Sequence, residues 1–118
     1  MRVGLVPFLN VAPFRDIPFE ITYAVPTVLN RLMREKKLDV AFCSSIELCH
    51  GAYERLPGLG LAARGAIRSV NLYLKDELAE ARIRLDPRSE TSNALLRLLC
   101  GNTVTFCNEG ESFLLICD

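Results

Sequence analysis

The sequence lacks the features that mark several large classes of protein. Its 14 basic and 14 acidic residues give a formal net charge of zero, and the two signs are interspersed along the chain. Proteins that bind nucleic acids or anionic membranes usually carry an excess of positive charge, so this balance argues against either as a main partner. No apolar run reaches the length of about 18 residues that a membrane-spanning helix needs. Internal repeats and low-complexity segments are also absent.

Signatures of nucleophilic and metal-dependent catalysis are missing as well. The single histidine, His50, has no serine or aspartate partner at a readable spacing, and neither a G-x-S-x-G nor a P-loop pattern occurs. Five cysteines stand at positions 43, 49, 100, 107 and 117, mostly among apolar neighbours. They lack the C-x-x-C pairs and ligand-spaced histidines of a zinc site, so we expect reduced, buried thiols and no metal.

The length of 118 residues and the 50% apolar share predict one domain, or one and a part, with a hydrophobic core. The N-terminal residues 1–5 carry no charged leader, no long apolar segment and no cleavage site. They are typical of the first strand of a cytoplasmic protein rather than of a signal peptide.

Alternation of short apolar runs with helical patterns predicts an α/β fold. A helix begins at Pro26, and its apolar stripe is Val28, Leu29, Leu32 and Met33. A strand, this helix and another strand follow within a short stretch, which favours a parallel sheet with a right-handed crossover. The predicted strands of this half are residues 3–6, 19–23 and 38–43.

The second half repeats the alternation less regularly. Residues 58–63 and 67–74 are predicted as two strands or one bent strand, and residues 76–81 as a short helix or connector. A strong helix is predicted over 89–100, with Ser89 as cap, Gly101 as stop and an apolar stripe of Ala94, Leu95, Leu98 and Leu99. The remaining strands are predicted over 82–85, 103–107 and 112–117.

Polar clusters follow directly after three of the apolar runs. Asn10 follows residues 3–6, Ser44 and Ser45 follow residues 40–43, and Thr91 and Ser92 follow residues 82–85. In open α/β sheets, small ligands bind beyond the carboxyl ends of the strands, where loops and helix N-termini present donors. The pattern therefore predicts a cleft for a small anionic molecule.

Each cluster also has an ordinary structural explanation. Asn10 can stabilise its own turn, and the serines and Thr91 can cap the helices that follow them. Capping and anion binding are compatible, because a capped helix start keeps spare N–H groups. Arg68, at the start of an apolar strand, can bind a carboxylate through both arms of its guanidinium or stay solvated.

Acids stand near these clusters without an evident partner. Glu47, Asp86 and Glu90 lie close to the polar residues, but nothing in their spacing pairs an acid with a base. The inventory describes a site that holds an anion with hydroxyls, amides and backbone N–H groups.

Taken together, these segments resemble the chorismate dehydratase family of menaquinone biosynthesis, the first enzyme of the futalosine route. The opening from Val3 to Phe14 is similar to the family's opening, with Phe8 where a tyrosine is usual. Further segments match in order nearly to the end of the chain. They are Val25-Pro26, Leu29-Asn30-Arg31-Leu32, Leu38-Asp39-Val40-Ala41, Ser44-Ser45-Ile46-Glu47, Arg68-Ser69-Val70, residues 86–92, Ala94-Leu95-Leu96 and residues 114–118, where Cys117 replaces a usual glycine.

The resemblance implies a periplasmic-binding-protein type 2-like α/β fold in a cytoplasmic enzyme. Residues 1–80 would form the first α/β lobe, incomplete without its C-terminal return, and residues 81–118 the beginning of a truncated second lobe. Family members are considerably longer, and the stretch between Leu99 and Thr103 also looks shortened. We therefore expect a C-terminal lobe that this sequence lacks to act as a partner of the chain.

The resemblance also implies an activity. Members are hydro-lyases that convert chorismate, a small dicarboxylate, into 3-[(1-carboxyvinyl)oxy]benzoate for menaquinone (vitamin K2), with no metal or organic cofactor. On this interpretation Asn10 is catalytic and orients the reacting face, while the general base is unassigned and a carboxylate of the substrate is one candidate. The implied substrate-binding residues are Ser44, Ser45, Arg68, Ser69, Thr91 and Ser92.

Other hypotheses stay open at this point. The chain can be a non-catalytic, small-carboxylate-binding remnant of the enzyme, or a degraded sequence with no stable fold. A sister enzyme that cleaves a cyclic futalosine derivative shares the fold, but its cysteine-bearing loop is absent around Asn10.

Overall fold

The structure, a computed structural model, describes residues 1–51 and 53–116. The chain divides into two compact units, Met1–Arg64 and Gly65–Asp118. Both units contain parallel strands and helices, which confirms the predicted α/β class. The lobe boundary at residues 80 and 81 concerns the complete two-lobed fold and stays a prediction, as does the periplasmic-binding-protein type. Within the described ranges, no helix is long and apolar enough to cross a membrane.

The first unit is built on a parallel sheet of three strands in the order β2-β1-β3. Its predicted strands and its helix are confirmed, with shorter strands than expected. The pattern therefore located each element correctly and misplaced only its ends. The elements are β1 (Arg2–Leu5), a 3₁₀ helix (Leu9–Phe14), β2 (Glu20–Tyr23), α1 (Pro26–Arg34), β3 (Val40–Ala41) and a second 3₁₀ helix (Ser45–Cys49).

Close packing of α1 on the sheet forms the core of this unit. Pro26 occupies the first turn of α1, where its missing N–H costs nothing. Gly4 of β1 lies beneath the helix: a Cβ there would come within 2.7 Å of Leu38 and 2.8 Å of Leu29. Because glycine lacks that atom, the helix approaches the strand closely and Leu29 is fully buried. The buried core residues are Val3, Leu5, Val6, Val11, Leu29 and Leu38.

The second unit has a mixed sheet of four strands in the order β4-β7-β5-β6. Strand β5 pairs in parallel with β6 and β7, and β4 pairs antiparallel with β7. The core consists of Ala81, Ile83, Leu96 and Leu114. The elements are β4 (Val70–Tyr73), a 3₁₀ helix (Leu78–Glu80), β5 (Arg82–Arg84), α2 (Glu90–Cys100), β6 (Thr105–Cys107) and β7 (Ser112–Ile116).

Two sequence-based predictions differ in this region. The strand predicted over 58–63 is wrong, because these described residues form turns and irregular chain and their leucines are exposed. Gly58 adopts a φ of 73°, which suits a turn rather than a strand. The strand predicted over 67–74 is confirmed as β4, and it belongs to the second unit because it pairs with β7. The predicted end of β7 at Cys117 lies outside the described residues.

The apolar stripe predicted for α2 is also wrong. Leu95, Leu98 and Leu99 are 54%, 83% and 72% exposed, whereas Leu96 is 8% exposed and packs on the sheet. Leu96 and Cys100, four positions apart, form the face that meets the core. Because α2 is apolar on two faces, its periodicity did not reveal which one the sheet covers.

We expect Leu96→Ala to lower the free energy of unfolding by about 2–4 kcal/mol, because it removes buried methyl groups and leaves a cavity. Leu98→Ala, on the same helix, should change it by less than about 0.5 kcal/mol. Urea unfolding followed by circular dichroism measures both. A larger loss in Leu98→Ala than in Leu96→Ala would show that the other face of α2 is the buried one.

Candidate functional site

In the first unit, the predicted site residues lie at one edge of the sheet. Strands β1 and β3 are parallel neighbours, so their carboxyl ends meet at the same edge. Asn10 lies just beyond β1, exposed in the 3₁₀ helix Leu9–Phe14. Ser44 and Ser45 lie just beyond β3. The topology therefore brings Asn10, Ser44 and Ser45 to a common edge, while their roles stay predictions.

A buried asparagine fixes the backbone at Ser44. Asn30 of α1 is fully buried, and its Oδ1 accepts a hydrogen bond from the Ser44 N–H at 3.1 Å. Ser44 occupies the N-cap position of the 3₁₀ helix Ser45–Cys49, but its side chain makes no cap hydrogen bond. Capping therefore does not account for the Ser44 hydroxyl. Asn30 is not among the predicted site residues, although a polar residue beside the apolar stripe of α1 was a usable signal.

Glu47 is a buried carboxylate engaged by an arginine. It is 2% exposed, and both of its oxygens accept hydrogen bonds from Arg34, one of them from Nε at 3.0 Å. The pair ties the helix Ser45–Cys49 to α1, because Arg34 is the last residue of α1. The carboxylate is thus committed to structure rather than free to act as an acid or base.

The thiol nearest this edge is held in its protonated form. Burial, reinforced by the negative charge of Glu47, raises the pKa of Cys43 to about 11. A neutral thiol is a poor nucleophile at neutral pH. The geometry therefore gives the first unit hydroxyl, amide and backbone donors, and no activated sulfur at this position.

In the second unit, an antiparallel strand brings distant residues to one edge. Strand β5 runs toward the start of α2, where Thr91 and Ser92 lie. Because β4 is antiparallel to β7, with Val70 opposite Ile116, the start of β4 lies at the carboxyl ends of β5 and β7. Arg68 and Ser69, directly before β4, therefore share an edge with Thr91 and Ser92.

Ser89 caps α2, as predicted. Its Oγ accepts a hydrogen bond from the Ser92 N–H at 3.2 Å and donates to the Ser92 Oγ at 3.0 Å. Ser92 is consequently part of the cap, so the structural explanation of this cluster is confirmed for it. Its hydroxyl oxygen lies at the first turn of the helix, where the dipole favours negative charge.

A network centred on Asp86 holds the loop between β5 and α2. Asp86 is 3% exposed and accepts hydrogen bonds from the Arg88 Nε and Nη2 at 3.0 and 2.6 Å and from the Ile116 N–H at 3.0 Å. Arg88 also donates to the Ile116 carbonyl at 2.6 Å. Asn93 donates to the Asp86 carbonyl at 2.7 Å. The network fixes the start of α2, with Thr91 and Ser92, against the end of β7.

The environment of Asp86 acts on its pKa in two directions. Burial alone would raise the pKa of this carboxyl group, but the hydrogen bonds from Arg88 and Ile116 outweigh burial, and the pKa lies below its ordinary value. The carboxylate is therefore charged at neutral pH and paired with Arg88. From the sequence, Asp86 was predicted only as an acid without an evident partner. Its partner stands two residues later, a spacing that the prediction did not use.

The described residues offer no preformed metal centre. Among residues 1–51 and 53–116, no group of three or more histidine, cysteine or acidic side chains is placed to hold a metal ion. The cysteines with described side chains, Cys43, Cys49, Cys100 and Cys107, carry free thiols. The arrangement is suited to holding an anion through hydroxyls, amides and arginines.

Comparison with known proteins identifies the family. A family model described as "Menaquinone biosynthesis" matches residues 1–111. The chain belongs to this menaquinone-biosynthesis family. A curated relative of this family member, from Thermus thermophilus, carries the name "Chorismate dehydratase" and is 38% identical over 104 residues, or 82% of the chain. The match covers 38% of the relative's own length. The resemblance drawn from the motifs is thereby confirmed.

We expect the stability of this family member to depend on Asp86 at low pH. Because the folded-state pKa lies below the ordinary value of 3.8, the ionised group stabilises the fold above that value, and the contribution is lost as the pH falls through the folded pKa. Asp86→Asn should lower the free energy of unfolding at neutral pH by about 2–4 kcal/mol and flatten its decline in acid. Urea titrations between about pH 7 and pH 2 measure this.

The matched control for that experiment is Asp76→Asn, at an exposed position. It should leave the neutral-pH stability within about 0.5 kcal/mol of the parent. An acid-induced decline as steep in Asp86→Asn as in the parent would contradict the assignment to Asp86.

We further expect Asn30→Leu to release the backbone at Ser44, because a side chain of similar volume without an acceptor leaves the Ser44 N–H unpaired. Hydrogen exchange of the Ser44 amide, followed by NMR, should accelerate by about tenfold or more, and stability should fall by about 1–3 kcal/mol. Arg31→Leu, at an exposed position of the same helix, is the control. Unchanged exchange at Ser44 in Asn30→Leu would disprove the positioning role.

Proposed function

We propose that this chain forms the N-terminal part of a cytoplasmic hydro-lyase that dehydrates chorismate to 3-[(1-carboxyvinyl)oxy]benzoate in the futalosine route to menaquinone. The observation that carries the proposal is the 38% identity over 104 residues to the relative named chorismate dehydratase. The gathering of Asn10, Ser44 and Ser45 at one sheet edge, and of Thr91 and Ser92 at another, supports it.

The chemistry of this reaction suits the donors that the chain offers. Removal of a ring hydroxyl and a neighbouring ring proton releases water and leaves an aromatic ring, which provides a large driving force. The enzyme mainly has to hold the dicarboxylate in its reactive conformation and exclude water. Neither an activated thiol nor a free buried acid is needed, in keeping with the protonated Cys43 and the paired Glu47.

We assign the individual roles from the family resemblance. In the proposal Asn10 orients the reacting face, because its amide both donates and accepts hydrogen bonds. The resemblance to the family assigns substrate binding to Ser44, Ser45, Arg68, Ser69, Thr91 and Ser92. A carboxylate of the substrate itself is the proposed proton acceptor.

The proposal includes a second lobe completed by polypeptide other than these 118 residues. The chain spans 38% of the length of the relative that it matches, and the leucines on the outer face of α2 are exposed. An apolar helix face on a small domain is normally covered by another element. In a two-lobed fold, that lobe would also complete the enclosure of the substrate.

A non-catalytic, carboxylate-binding role is the second candidate. The pairing of the buried acids favours it, because Glu47 is bound to Arg34 and Asp86 to Arg88, and neither carboxylate is then free to accept a proton. It predicts binding of chorismate without turnover.

The test uses the chain joined to the part of the Thermus relative that lies beyond the match. Incubated with chorismate and followed by chromatography, the folded chimera should form the aromatic enolpyruvyl ether. Asn10→Ala should lower kcat by about a hundredfold, since misorientation of the substrate costs that order of rate. Ser44→Ala should mainly raise KM, and Asn102→Ala, at an exposed turn, should change neither.

Calorimetry with chorismate separates the remaining outcomes. Binding by the folded chimera without product would support the carboxylate-binding role over the dehydratase. Neither binding nor product would contradict both.

A further inference from the structure

One arginine of the second unit joins the loop after β5 to the end of β7. The Nη2 of Arg88 donates hydrogen bonds to the Asp86 carboxylate and to the Ile116 carbonyl, each at 2.6 Å. Ile116 is the last residue of β7, and its N–H donates to the same carboxylate at 3.0 Å. The Asp86–Arg88 pair therefore binds both backbone polar groups of Ile116.

The same loop is folded against the start of α2. The Arg88 N–H donates to the Asp86 Oδ1 at 2.9 Å, which closes a turn across Pro87. Asn93 of α2 accepts a hydrogen bond from the Asp86 N–H at 3.2 Å and donates to the Asp86 carbonyl at 2.7 Å. Asp86 is thus attached to β7 through its side chain and to α2 through its backbone.

Two of the predicted substrate-binding residues lie on the turn that this loop holds. Thr91 and Ser92 stand between the cap Ser89 and Asn93. The Ser89 Oγ accepts from the Ser92 N–H at 3.2 Å, and the Ser89 carbonyl accepts from the Asn93 N–H at 3.3 Å. The hydrogen bonds therefore continue without a gap from the end of β7 to the turn that carries Thr91 and Ser92.

The geometry of Arg88 favours a structural bridge over direct contact with a ligand. Its side chain is 38% exposed, but its Nε and Nη2 both donate to Asp86. A second anion that drew the guanidinium away would leave the Asp86 carboxylate, which is 3% exposed, without its cation. An unpaired buried charge is costly, so Arg88 is bound more firmly to Asp86 than to a ligand.

We propose that Arg88 is a positioning residue of the substrate site, which holds the first turn of α2 in the geometry that Thr91 and Ser92 need to contact the substrate. This inference rests on the proposed function, from which it takes substrate binding by those two residues. Displacement of the turn would misdirect their hydroxyls and N–H groups. Binding of the substrate would then weaken, while the reacting atoms would be unaffected.

The first test uses the chimera with the Thermus relative and chorismate as substrate. Arg88→Gln should raise KM by about tenfold, the loss expected for one hydrogen bond to a charged group, and kcat should stay within about twofold. Arg82→Gln, which removes an exposed arginine from β5, should change neither constant. Circular dichroism checks that each variant is folded.

Combined variants show whether Arg88 acts through Asp86. Asp86→Asn should raise KM as much as Arg88→Gln, and the double variant should be no worse than either, because both changes break one bridge. Ser44→Ala, in the first unit and outside this network, should multiply with Arg88→Gln. If Arg88 bound the substrate directly, Asp86→Asn would free its guanidinium and would leave KM unchanged or lower it. A purely stabilising role would leave KM unchanged in every folded variant.

Hydrogen exchange in the 118-residue chain tests the positioning without turnover. In Arg88→Gln the amides of Ser92 and Asn93 should exchange about tenfold faster or more, while the Ser44 amide should be unchanged. Arg88→Lys keeps the charge but lacks the planar fork that reaches both Asp86 and Ile116. It should therefore leave both the exchange at Ser92 and the KM of the chimera raised.

Several results would overturn the proposal. These are equal rises of KM in Arg82→Gln and Arg88→Gln, multiplying effects of Arg88→Gln and Asp86→Asn, or unchanged exchange at Ser92 in Arg88→Gln. An active chimera whose KM is unchanged in Arg88→Gln would overturn this proposal alone. A folded chimera that neither binds nor converts chorismate would overturn the dehydratase proposal and this one with it.

Discussion

Parallel strand pairing determines at which edge of each sheet the polar residues of this chain lie. In the first unit, β1 and β3 run side by side, so whatever follows them emerges at one edge of the sheet. In the second, β5 runs parallel to β6 and β7. Each strand is short, and the residue after its end cannot lie far from the edge. The hydroxyls, amides and arginines that can hold an anion are concentrated there for that reason.

Buried polar groups then fix these edges in detail. Asn30 holds the backbone at Ser44, Arg34 and Glu47 hold the helix after it, and Asp86 with Arg88 holds the start of α2. A buried polar or charged group is costly unless its hydrogen bonds are made. Once its bonds are made, the group ties two elements together in one geometry. The side chains that can contact a ligand are thus held in position by buried side chains that do not contact it.

One face of α2 carries apolar side chains that no other element of the described structure covers. The sheet covers Leu96, while the outer leucines remain exposed. A helix with two apolar faces is typical of a layer that is packed on both sides. The chain spans 38% of the relative it matches, and the second lobe that we propose would cover this face.

Much of this protein was readable from its sequence. The strand–helix–strand pattern predicted the first unit because its β-strands and α1 follow local rules of periodicity and capping, and Ser89 was identified as a cap by the same rules. The ordered motifs around Asn10, Ser44 and residues 86–92 identified the family, because each motif consists of residues that are adjacent in the sequence.

Other features were decided only by tertiary structure. Apolar residues lie on two faces of α2, and only packing against the sheet determined that Leu96 rather than Leu98 is buried. The pattern of residues 58–63 predicted a strand, but a β-strand forms only where a neighbouring strand pairs with its backbone N–H and C=O groups. The pairing of β4 with β7, the hydrogen bond from Arg88 to the Ile116 carbonyl and the hydrogen bond from the Ser44 N–H to Asn30 join residues far apart in sequence. Contacts of that kind follow from packing, which local propensity does not encode.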